Sequence, residues 1–184
     1  MNRRRFVVGV VVAAATIANL GCSDDDRGDT HVGASLGWSV AVDDDTLGLR
    51  FVLPSEPERL VQRIQLPDGT PSEIVVYSTA GEGWELFVST LPLDVDSYDL
   101  DAAAPGAAAG VEGELVEVRP VTVGGHPGRD AEIRYRRDGE ERVLLYRAVA
   151  IDDGLVQIQT LGPASNRPQL DRFHRELIDG ITFG

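Results

Sequence analysis

The sequence predicts an α+β fold: an antiparallel β-sheet packed against a C-terminal helix. Three observations point to it. Short apolar runs of strand length are separated by Pro, Gly and Asp; Asp138-Gly139 and Asp153-Gly154 are hairpin signals; and one amphipathic segment closes the chain. At 184 residues, 42% hydrophobic and 26% charged, the chain can bury one core and is neither collagenous nor disordered in composition.

Taken in order, Trp38, Val40 and Val42 alternate with polar or small residues, and the run Leu49 to Leu53 ends at Pro54. Leu60 to Leu66, Glu73 to Thr79 and Trp84 to Leu91 are further strand candidates. Tyr98 to Val111 is Ala-rich and preceded or opened by Asp94, Asp96, Asp99 and Asp101, which favours a short helix interrupted by Pro105-Gly106. These acids lack the spacing and central Gly of an EF-hand loop, and Asp43-Asp44-Asp45 reads as a solvated turn between strands.

The C-terminal half predicts a meander. Glu114 to Val123 is a strand, and the segment Gly124 to Gly128 is a turn with His126 among its glycines. Ala131, Ile133 and Tyr135 then face one way, while Asp130, Glu132 and Arg134 face a wet side. Arg142 to Ile151 and Leu155 to Leu161 follow the two hairpin signals. The last helix is expected to use Asn166 as N-cap with Gln169 as capping-box partner, to tolerate Pro168 in its first turn and to stop at Gly180. Leu170, Phe173, Leu177, Ile178 and Ile181 lie on one face.

The N-terminus carries a different message. Arg3-Arg4-Arg5 is followed by Phe6 and an apolar stretch to Ala18, then by Leu20-Gly21-Cys22 and the acidic run Ser23-Asp24-Asp25-Asp26. A basic start, a short apolar segment and a small-residue boundary are the organisation of an export signal, and the apolar stretch falls short of the ~20 residues a spanning helix needs. Arg3, Arg4 and Phe6 resemble the twin-arginine motif, with the general secretory route as the alternative. Leu20-Gly21-Cys22 resembles the end of a bacterial lipobox, although Asn19 and Leu20 depart from its pattern; the alternative is a free Cys22 in an ordinary signal cleaved after Ala18. The expected organisation is a signal peptide over 1–21, a flexible acidic tether over 22–36 and one globular domain over 37–184, with Cys22 acylated by palmitate or a similar chain. The protein is therefore expected outside the cytoplasm, held at the membrane by its lipid.

Charge narrows the partners. All 17 basic residues are Arg, against 30 acids, for a net charge of -13, and removal of Arg3, Arg4 and Arg5 with the signal makes it -16. A nucleic-acid partner is disfavoured, because phosphate backbones need clustered positive charge. An acidic protein is also repelled by an anionic membrane surface, so an acyl anchor would hold it there against its own charge.

Motifs for catalysis are missing. There is no Gly-x-Ser-x-Gly elbow, no paired His spacing for zinc, and the lone Cys22 is assigned to the lipid. His126 reads as a turn residue and His174 as a partly buried or surface helix residue. With so many acids, chance carboxylate pairs carry no weight. No catalytic residue, metal site or cofactor is predicted.

Gly48 to Pro54, Val121 to Asp130, Leu155 to Ile158 and the closing Phe173 to Phe183 together resemble the PsbP-like (Mog/PsbP) α/β/α sandwich proteins, over roughly Gly48 to Gly184. The resemblance implies a sheet of six to seven antiparallel strands flanked by helices, no catalytic centre, and an accessory or binding role, with bacterial members often small secreted proteins or lipoproteins. The functional expectation is an exported, lipid-anchored, non-enzymatic module that binds a protein or a small apolar ligand. The alternatives are an envelope hydrolase with a dispersed site that includes His126 and Asp130, and a purely structural envelope component.

Overall fold

The structure, a computed structural model, describes residues 37–66, 69–94 and 98–184. The expected signal and tether, with Arg3, Arg4, Phe6 and Cys22, lie outside the described residues. Within them the strands run β1 (Val40–Asp44), β2 (Leu49–Leu53), β3 (Glu58–Gln65), β4 (Pro71–Gly81) and β5 (Trp84–Pro92). A 3-10 turn over Leu100–Ala102 leads into α1 (Ala103–Gly110). Then come β6 (Glu114–Val123), β7 (His126–Arg137), β8 (Glu140–Ile151), β9 (Gly154–Pro163), α2 (Arg167–Asp179) and β10 (Thr182–Phe183).

Seven strands form an antiparallel sheet in the order β3-β4-β5-β9-β8-β7-β6, so β7 to β9 are the predicted three-stranded meander and β6 extends it at the edge. The β7–β8 turn follows the expected chemistry: Asp138 and Gly139 both take positive φ, the backbone that a right-twisted two-residue hairpin demands. The other two turns differ from expectation: Asp153 and Gly154 do not take positive φ and Gly154 already opens β9, and Gly124 and Gly125 alone turn the chain between β6 and β7, so that His126 is the first residue of a strand and not a turn residue. The first and last strands do not join this sheet. β1, β2 and β10 form a separate three-stranded sheet, with Leu49 opposite Phe183 and Arg50 opposite Thr182.

The large sheet has an apolar set on each face, and each set has its own cover. On one face Val75, Tyr77, Leu86, Val88, Val143, Leu145, Val156 and Ile158 pack with Leu49, Phe51 and Leu53 of the small sheet and with Leu170, Phe173 and Leu177 of α2. On the other, Ile74, Val76, Ile133, Leu144, Tyr146 and Leu155 pack with the alanines of α1. This is a three-layer α/β/α arrangement, in which each fully buried Leu, Ile or Phe contributes roughly 1.5–3 kcal/mol through removal from water.

Two local expectations are corrected. Pro105-Gly106 does not interrupt α1, because Pro105 sits in the first turn, where its missing N–H is not required. Asn166 precedes α2 but makes no capping bond; its side-chain amide donates instead to the carbonyl of Gly83 at 3.2 Å. Gly83 has φ +72°, and a Cβ there would run into that amide, so the β4–β5 turn and the start of α2 lock together.

Candidate functional site

The face of the large sheet under α2 and the small sheet is mostly apolar, and a cluster of charged residues gathers at one end of it. Along β8 the inward positions read Val143, Leu145, Arg147, Val149 and Ile151, a single charge in an otherwise apolar stripe. In register with Arg147 stands Asp130 on β7, and with Asp130 stands Arg119 on β6. The next row holds Leu145, Glu132 and Glu117. Because α2 packs on β8 and β9 and not on β6, this end is left as a cleft of about 170 Å³. Its walls are Glu117, Arg119, Asp130, Glu132 and Arg147 from the sheet, and Arg167, Asp171, His174, Arg175 and Ile178 from α2.

An ion-pair network forms the floor. The Asp130 carboxylate accepts a fork from Arg147, from Nε and from Nη2, the latter at 2.7 Å, and these side chains are only 10% and 13% exposed. Arg119 Nη2 reaches the same carboxylate at 3.4 Å. Arg167 links α2 to the sheet, with Nη1 at 2.7 Å from Glu132 and Nε at 2.9 Å from Asp171. Burial works against its charge, but the bonds to Glu132 and Asp171 more than offset this and raise its pKa. Arg134 adds an exposed second contact to Glu132, at 3.3 Å.

His174 lies above this floor, with Nδ1 at 3.0 Å from Thr160 Oγ1 on β9. Burial, reinforced by the charge of Arg147, lowers its pKa to about 4, while Asp130 and Asp171 pull weakly the other way. The imidazole is therefore neutral near pH 7. A hydroxyl bonded to an imidazole is the raw material of a nucleophile and base, but Thr160 is fully buried and cannot meet a substrate. The pair instead ties α2 to β9.

Asp130 was expected on a wet face, yet it is 7% exposed beneath the cleft. His126 does not accompany it. The two lie on one strand and one face, but four residues along a strand is about 13 Å, and His126 packs on Phe183 with ring centroids 5.5 Å apart. The dispersed hydrolase site built on His126 and Asp130 is not assembled. His174 takes the place beside Asp130, drawn there by the packing of α2.

The acidic run at 43–45 is likewise not a uniformly solvated turn. Asp44 is 2% exposed and accepts from the amides of Thr46 at 2.8 Å and Leu47 at 3.3 Å and from Thr90 Oγ1 at 3.3 Å. It is an Asx cap closing the β1–β2 turn. Asp43 pairs with Arg50 at 2.7 Å. Among the described residues no cluster of three or more His, Cys, Asp or Glu forms a metal cage, and no helix is long and apolar enough to cross a membrane.

No protein-family model and no curated protein matches the chain. Among solved structures it is similar to the solution structure of cyanobacterial PsbP from Synechocystis, with a TM-score of 0.56 and 13% identity, covering 83% of this chain and 99% of that one. It is also similar to LpqN, a protein involved in cell envelope biogenesis of Mycobacterium tuberculosis, with a TM-score of 0.49 and 14% identity over 78% of this chain and 88% of that one. A third likeness is to a Pseudomonas aeruginosa protein of unknown function, a putative regulator, with a TM-score of 0.41 and 12% identity over 63% of this chain and 92% of that one. The expected fold is borne out: the chain has a PsbP-like fold, with seven strands in its main sheet and the C-terminal helix packed upon it.

Proposed function

We propose that this protein is an exported, lipid-anchored module of the cell envelope that acts by binding rather than by catalysis, with the cleft beside α2 as its ligand site. The observation that carries the binding reading is the state of the cleft's reactive groups. Asp130, Glu132 and Asp171 are each bonded to arginine, His174 is neutral and bonded to Thr160, and the Thr160 hydroxyl is sealed from solvent. Of the acids that line the cleft, Glu117 alone has no ion pair among the described residues, and it is exposed; the buried set orients a ligand through hydrogen bonds and offers no free pair of nucleophile and base. Its charged walls suit a polar ligand better than the small apolar one expected from the sequence.

The address rests on the N-terminal residues. Arg3, Arg4 and Phe6 support export, through the twin-arginine or the general secretory route, and Cys22 at the apolar-to-acidic boundary supports acylation. Two or more acyl chains anchor stably where one does not, which matters for a chain of this negative charge. Metabolic labelling with a fatty-acid analogue in the native host tests the anchor. The wild-type protein is expected to take the label and sediment with membranes, and Cys22→Ser to lose both. An unlabelled wild type, or label that persists in Cys22→Ser, overturns the anchor.

A further inference from the structure

We propose that the cleft takes its ligand by an oxyanion group, a carboxylate or a phosphate, held between Arg119 on β6 and Arg175 on α2. This rests on the reading of the cleft as the binding site and deepens it by naming the ligand class. The case comes from an inventory of donors and acceptors. A guanidinium has five N–H donors and no acceptor, whereas a carboxylate accepts only. Asp130 already accepts the fork from Arg147 and the longer bond from Arg119; Glu132 accepts from Arg167 and Arg134; Asp171 accepts from Arg167.

The spare capacity is on the other side. Arg119 spends one N–H on a 3.4 Å contact, with its side chain 64% exposed. Arg175 is exposed and pairs with no acid among the described residues, yet it lines the same cleft from the opposite wall. A ligand rich in acceptors completes these donors, whereas a cationic ligand would meet carboxylates already taken up. Glu117 is the exception: it is exposed, stands opposite Glu132 and carries no ion pair among the described residues, so its charge opposes an anion at the outer end. His174, neutral near pH 7, adds no charge of its own. The cleft is thus charge-balanced with free donors, in a chain whose net charge is -13. An anion repelled elsewhere on the surface has a place to settle here, and its binding should weaken as salt rises.

The test is a titration of the full chain, in a non-ionic detergent, with inorganic phosphate, acetate and methylammonium as separate probes. Backbone and arginine Nε–H resonances in ¹⁵N spectra are followed at constant ionic strength against a chloride control. The expected result is a saturable shift centred on Arg119, Arg175 and their neighbours with phosphate or acetate, and the stronger of the two tells a phosphate site from a carboxylate site. Arg119→Gln and Arg175→Gln are each expected to weaken it about tenfold, the scale of one charge-assisted hydrogen bond, and Glu117→Gln to tighten it. All three side chains are exposed, so the variants should fold. Shifts that match the chloride control, or that are as strong in both arginine variants as in wild type, overturn the proposal. Saturation of the cleft by methylammonium alone overturns the anion class but leaves the cleft as the binding site. A cleft unmoved by all three probes overturns both.

Discussion

His174 sits where two demands on one imidazole meet. Its Nδ1 must bond Thr160, and its ring must share a crowded floor with the guanidinium of Arg147. The consequence is measurable. In the unfolded chain the ring takes a proton as pH falls through about 6.5, while in the folded protein it resists until about 4. Between these values the unfolded state binds more protons, so stability drops as pH falls, by at most about 1.4 kcal/mol per pH unit for this one group. Below about 4 both states are protonated and the contribution levels off. Urea unfolding at a series of pH values should show a shallower slope over that window in His174→Gln than in wild type, and equal slopes would remove His174 from the account. At this scale the sequence was informative where a residue broke a pattern. Arg147 stands out as a charge in an apolar alternation, so the buried pair was legible in principle. Which histidine stands near that pair was not, because His126 is close to Asp130 in sequence and far from it in space, while His174 is distant in sequence and lines the same cleft.

Among the elements, α2 is the one most completely specified by its own residues. Leu170, Phe173 and Leu177 are buried at helical spacing as the pattern requires, and Phe173 meets Trp84 and Trp38 edge to face, with ring centroids 5.2 and 6.0 Å apart. Phe173→Ala should cost about 3–5 kcal/mol in denaturant stability and Phe173→Leu less than half of that, since the second leaves a smaller cavity. A loss below 1 kcal/mol for Phe173→Ala would mean that α2 is not a main pillar of this core. The ends of elements were harder to read. Asn166 has the side chain of a cap, but Gly83 comes within its reach only after the sheet has formed, and the side-chain amide bonds there instead. The two edges of the large sheet are also treated differently. Both expose apolar side chains, Val116 and Val118 on β6 and Leu60 and Val61 on β3, but β6 is broken by a bulge between Leu115 and Glu117 and contains Pro120, whereas β3 is regular and carries Arg59 and Arg63. Bulges, prolines and edge charges are the usual protections against unwanted pairing, and this chain uses both kinds.

At the scale of the whole molecule the ends of the folded domain close on each other. β10 pairs with β2, Ile181 is 8% exposed against the core, and the amide of Gly184 donates to the carbonyl of Gly48 at 2.9 Å. Deleting residues 181–184 removes a buried side chain and the pairing of β2 on one side. The expected loss is about 2–4 kcal/mol, read as a lower midpoint in chemical denaturation, and an unchanged midpoint would mean that the small sheet holds without its last strand. By itself the sequence determined the strands, the hairpins, the apolar face of α2 and the acidic balance, because periodicity and turn chemistry act between residues near one another along the chain. It did not separate β1, β2 and β10 from the main sheet, turn Asp44 inward or bring His174 over Asp130 and Arg147. Those outcomes depend on which layer covers which face, and that is decided by burial between segments far apart in the chain, a quantity no local pattern contains.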